Sequence, residues 1–119
     1  MQRIFYLILL LPFFTHCTRE DSLSLSDIKP TTSLVTYTNT VKAIIDNNCI
    51  SCHATVPRFG APMSLVTYND VKQSVLNRGL INRMQLPESD SQLMPQGGPK
   101  LPETVINNVI KWQTDGLTE

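Results

Sequence analysis

The chain of 119 residues reads as an all-α protein of three to four short helices joined by long loops. Three observations predict this. Apolar residues recur at helical spacing in three segments, around residues 37–45, 68–76 and 105–110. No segment sustains the apolar–polar alternation of a half-buried strand. Prolines and glycines gather between the stripes, with four prolines and two glycines from Leu86 to Pro102. The length suits one domain.

The N-terminal segment is separate from that domain. Arg3 precedes an apolar run from Ile4 to Phe14, interrupted only by Pro12. The run falls short of the roughly 20 residues that span a bilayer and fits a signal-peptide core. Cys17 follows. Together these resemble a bacterial lipoprotein signal, with departures at Phe14 and His16, where such signals prefer Leu and a small residue. The resemblance implies that residues 1–16 are removed and that Cys17 is lipidated. Residues 17–34, rich in Ser, Thr and charge, then form a tether between a membrane anchor and the domain of residues 35–119. The implied location is exported, on the periplasmic side of a bacterial membrane.

The helices follow in order. Tyr37, Val41, Ile44 and Ile45 form one apolar face, so a helix runs up to the Cys49 segment. Residues 54–64 hold two prolines and a glycine and read as loop. Thr67 and Asp70 have the spacing of a capping box, in which a hydroxyl and an acid satisfy each other's backbone donors. Tyr68, Val71, Val75 and Leu76 make the face that follows, and Gly79 is a suitable stop. Residues 80–84 predict another short helical turn. The last helix starts after Pro102, carries Val105, Ile106, Val109 and Ile110, and ends near Gly116 with Trp112 at the edge of its stripe.

Ten basic and ten acidic side chains balance to a formal charge of zero, which speaks against a nucleic-acid binder. Hydrophobic residues make up 41% of the chain even with the apolar leader included. Globular chains usually reach roughly 45–50%, glycine counted. A domain this small and this polar is marginal on its own core, so a large apolar cofactor would help it.

Cys49-Ile50-Ser51-Cys52-His53 is C-x-x-C-H, the attachment pattern of haem c. Two thiols at this spacing can each add to one vinyl group of a porphyrin. The adjacent imidazole then lies under the iron. Three other uses of C-x-x-C compete. A thiol–disulfide redox pair normally accompanies a βαβ pattern, which is absent. Half a zinc site needs two further ligands, and beyond residue 17 the sequence has no other histidine or cysteine. A structural disulfide across two residues is unusual.

With residues 1–16 removed, His53 is the only histidine, so a sixth iron ligand from the same chain falls to methionine. Met63 lies close to His53 in sequence, which disfavours a reach to the opposite haem face. Met84 sits in a helical segment and reads as core. Met94 lies in Leu93-Met94-Pro95-Gln96-Gly97-Gly98-Pro99, a rigid segment suited to presenting a thioether. Met94 is therefore the favoured ligand.

From about Tyr37 to Trp112 the chain resembles the small class I cytochromes c. A helix running into C-x-x-C-H, a Met-Pro loop and a closing helix with an aromatic residue carry the resemblance. It implies one covalent haem, with Cys49 and Cys52 as thioethers and His53 and Met94 as axial ligands. It also implies a proline whose carbonyl accepts a hydrogen bond from the ligating histidine, and Pro62 is the counterpart. First and last helices cross in that family, which puts Trp112 at the crossing or against haem. Arg58, Arg83 and Lys100 could face the haem propionates, but each reads as a solvated surface charge.

The implied function is outer-sphere electron transfer between transiently docking redox proteins, with no catalytic residue and no small-molecule substrate. His–Met ligation raises the reduction potential. If Met94 does not bind iron, the alternative is a haem subunit, or a gas- or peroxide-binding haem protein with an open iron site. Haem c attachment takes place outside the cytoplasmic membrane, where the export signal sends the chain.

Overall fold

The computed structural model describes residues 33–119. The signal peptide, Cys17 and nearly all of the tether lie outside the described residues. The described chain is all-α: a π-helical turn, Tyr37–Val41, runs into α1, Lys42–Asn48, followed by α2, Tyr68–Asn77, α3, Leu80–Gln85, and α4, Glu103–Thr114.

Thr36 caps the first turn, where its hydroxyl accepts from Asn39 N–H and the Asn39 side chain accepts from Thr36 N–H. Val41 N–H donates to the Thr36 carbonyl, a five-residue step that widens this turn into a π-helix. Tyr37, Val41 and Ile45 line the buried face. The helix stops where Asn48 turns its side-chain amide onto the Ile44 carbonyl at 2.7 Å, immediately before Cys49.

The Thr67–Asp70 capping box forms as the sequence predicts. The buried face of α2 differs from expectation in one position. Val71, Ser74 and Val75 are buried, whereas Leu76 is half in solvent. Steps of three and four residues set the inward stripe, and Leu76 lies a further 100° round the helix from Val75. The small Ser74 fits where the core is tight. Gly79 takes the left-handed conformation, φ 67°, that ends α2 and lets α3 begin at once.

α4 packs on the π turn and on α3. Ile106, Val109 and Trp112 are fully buried. Trp112 sits at the crossing with the first helix, its ring 6.0 Å from Tyr37 and 6.3 Å from Tyr68 between centroids. A clasp of hydrogen bonds onto backbone carbonyls closes this end. Tyr37 N–H donates to Thr118 O at 2.9 Å, Trp112 Nε1–H to the same carbonyl at 2.7 Å, and Tyr68 Oη–H to Leu117 O at 2.8 Å. Val35 N–H donates to Asp115, which also pairs with Lys111 at 2.9 Å.

Candidate cofactor site

The site lies on the other side of the core, where loops rather than helices carry most of the chemistry. After α1 the chain turns tightly on the Cys49 carbonyl, which accepts from Cys52 N–H at 3.2 Å and from His53 N–H at 2.9 Å. Leu65 N–H donates to the His53 carbonyl at 2.9 Å, so the loop of residues 54–64 returns to the attachment segment and fixes it.

His53 is buried, and its Nδ1 lies 2.8 Å from the Met63 carbonyl oxygen. A carbonyl only accepts, so Nδ1 carries a proton, and in the neutral ring Nε2 keeps its lone pair. That is the tautomer in which Nε2 can bind a metal, oriented by a hydrogen bond at the far nitrogen. The expected partner of His53 was the carbonyl of Pro62. The acceptor is instead the next residue, Met63. Pro62 lines the cavity beside it. A backbone acceptor leaves no mark in side-chain chemistry, so nothing in the sequence distinguishes Met63 from its neighbour.

Cys49, Cys52, His53 and Met94 all line one cavity of about 650 Å³. That volume falls in the roughly 300–1,000 Å³ range of small-molecule and cofactor sites. Met94 reaches it from the 86–102 loop, held to α3 by its N–H on the Arg83 carbonyl at 3.1 Å and anchored by buried Leu93. Met63 and Met84 share the lining. Met84 is 2% exposed on the inner face of α3 and belongs to the core cluster, as its helical setting predicts.

No disulfide joins Cys49 to Cys52. Burial, aided by neighbouring Cys52, pushes the Cys49 thiol up to about 11. Such a thiol stays protonated at neutral pH, unlike the lowered thiols of disulfide oxidoreductases. Among the described residues no three His, Cys, Asp or Glu side chains gather around one point where a metal ion would sit.

The charge of the wall is one-sided. Arg78 and Arg83 line it, and no Asp or Glu does. Arg83 is half-buried rather than the free surface charge the sequence suggests. Arg58 is exposed, and Lys100 pairs with Glu103 at 2.9 Å. Trp112 does not line the cavity and serves the helix crossing alone. Phe59 is a lining residue that helical periodicity does not reveal.

No family model, no curated protein and no solved structure matches the chain.

Proposed function

We propose that the chain is a small mono-haem c-type cytochrome of the class I kind and carries electrons between redox proteins. One observation carries the reading: Cys49, Cys52, His53 and Met94, chosen by motif and loop chemistry, share the wall of a single cavity of cofactor size. Those residues fit a haem in kind as well as in number. Two thiols suit thioether bonds to the porphyrin edge. An imidazole held at Nδ1 would offer Nε2 as the first iron ligand. The Met94 thioether is the second. Arg78 and Arg83 suit the two propionate carboxylates.

Bound haem supplies a one-electron couple between ferric and ferrous iron. The chain's residues set its value and its surroundings. The Met63 carbonyl keeps His53 in one tautomer and one orientation. A thioether ligand favours the ferrous state and raises the potential. With His53 and Met94 both holding the iron, the arrangement would suit outer-sphere transfer rather than substrate binding. Under this proposal the protein is exported and lipid-anchored through Cys17, and its redox partners dock transiently.

The test is the far-red sulfur-to-iron band of the oxidised protein. Met94→Ala abolishes it, whereas Met63→Ala and Met84→Ala retain it. Persistence of the band in Met94→Ala would overturn the ligand assignment in favour of another methionine, whereas a native haem protein without the band would favour a gas- or peroxide-binding site.

A further inference from the structure

Phe59 and Gly60 occupy the centre of a turn closed by Ala61 N–H on the Arg58 carbonyl at 2.9 Å. Their φ angles are 53° and 80°. A four-residue turn with both central φ positive follows the type I′ pattern, which favours Asn or Gly at the first centre and Gly at the second. Gly60 meets that demand. Phe59 does not, because an L side chain with a bulky ring rarely adopts positive φ. The turn is also pinned to the attachment segment, since Arg58 N–H donates to the Cys52 carbonyl at 2.8 Å.

The ring gains little from the protein around it. Phe59 is 85% exposed, the most exposed large hydrophobic side chain among the described residues, yet it lines the cavity. Backbone strain and an exposed aromatic ring therefore fall on one residue, and neither serves the turn. Strain of this kind marks positions held for a function.

We infer that Phe59 is an aromatic cover for the bound haem, shielding the outer edge of the group from water. The inference rests on the haem reading above. Shielding an iron centre from water disfavours its more highly charged ferric state, so the cover raises the reduction potential. It also limits contact with small reagents in solution. The type I′ turn and its bond to Cys52 fix where the ring is presented.

The test uses the haem-loaded full chain and three variants chosen to separate turn chemistry from cover. Phe59→Gly suits the turn and removes the cover, whereas Phe59→Ala removes the cover and suits the turn poorly, as Phe59 does. Phe59→Leu keeps an apolar cover and suits the turn as poorly as Phe59 does. The expected result is a more negative midpoint potential and faster reduction by ascorbate in Phe59→Ala and Phe59→Gly, with Phe59→Leu close to native. The far-red band remains in all three. Native potential and native ascorbate rate in Phe59→Gly, beside an intact haem spectrum, would overturn the cover alone. So would an order of effects that follows turn propensity, with Phe59→Ala close to native. A native protein without covalent haem would overturn the functional proposal and the cover together.

Discussion

The two ends of this domain are built on opposite plans. At the aromatic end, Tyr37, Tyr68 and Trp112 fill the helix crossing with their own rings, and the last residues of the chain bond back onto them. At the cavity end, the side chains stop short of one another. Cys49, His53, Met63, Met84 and Met94 border a space of about 650 Å³. One end is completed by the polypeptide; the other has the size and chemistry for a guest. The contrast explains how so small and polar a chain builds a core: the protein supplies one half, and in the proposed holoprotein the porphyrin supplies the other.

Substitutions at each end should therefore fail differently. The largest effect on stability belongs to Trp112→Ala, which removes a fully buried ring and the Thr118 hydrogen bond. A loss of about 3–5 kcal/mol in urea unfolding is expected, with the axial ligands unchanged in the spectrum. Met84→Ala and Met94→Ala sharpen the comparison at the cavity. Met84→Ala should cost about 2–5 kcal/mol while retaining the far-red band, because Met84 is core. Met94→Ala should lose the band with the smaller stability loss of the two.

Tyr37→Phe is a subtler probe of the aromatic end. The Tyr37 hydroxyl is buried and finds no hydrogen-bond partner among the described residues. Burial also raises its pKa, against the partial relief of Lys42. Removing an unpaired buried hydroxyl while keeping the ring should leave stability unchanged or raise it by about 1 kcal/mol. A clear loss in thermal unfolding would mean that the hydroxyl does have a partner.

The smallest effect concerns acid. The Lys111 ammonium and the Val35 N–H hold Asp115 below the usual carboxylate range. Burial opposes the charge on Asp70, but hydrogen bonds from Thr67, Ser64 and Val66 outweigh it and lower its pKa as well. Lowered carboxylates stabilise the fold above their unfolded value of about 3.9, and that contribution is lost as pH falls through the folded value. The urea midpoint should drop below about pH 4, and Asp115→Asn should flatten part of that drop. An equal drop in the variant would assign it to other groups.

Much of this architecture is legible in the sequence because its causes are local. Thr67 and Asp70 satisfy each other across one helical turn, so their spacing alone announces α2. The stripe of Ile106 and Val109 does the same for α4. The features that escaped are those set by distant partners or by backbone atoms. The π turn at Tyr37 belongs to a clasp whose acceptor is Thr118, at the far end of the chain. Leu76 reads as inward because it is apolar, yet the helix geometry turns Ser74 inward instead.

The cavity divides along the same line. Cys49, Cys52 and His53 are marked by spacing, and Met94 by its proline- and glycine-rich loop. The carbonyl that holds His53 carries no residue signature, so it is found at Met63 rather than Pro62. Phe59 escapes because its backbone contradicts the chemistry of its side chain. Arg83 looks like an ordinary helical surface charge until the 86–102 loop folds over its carbonyl.

The central claim is that the cavity end is completed by a covalently held haem. Its most direct test is the mass of the intact chain, measured after denaturation, beside that of Cys49→Ser/Cys52→Ser. The expected result is the polypeptide plus one haem for the native chain, and bare polypeptide for the double variant. A native chain at the mass of bare polypeptide, or two hydrogens lighter with Cys49 and Cys52 joined as a disulfide, would contradict it.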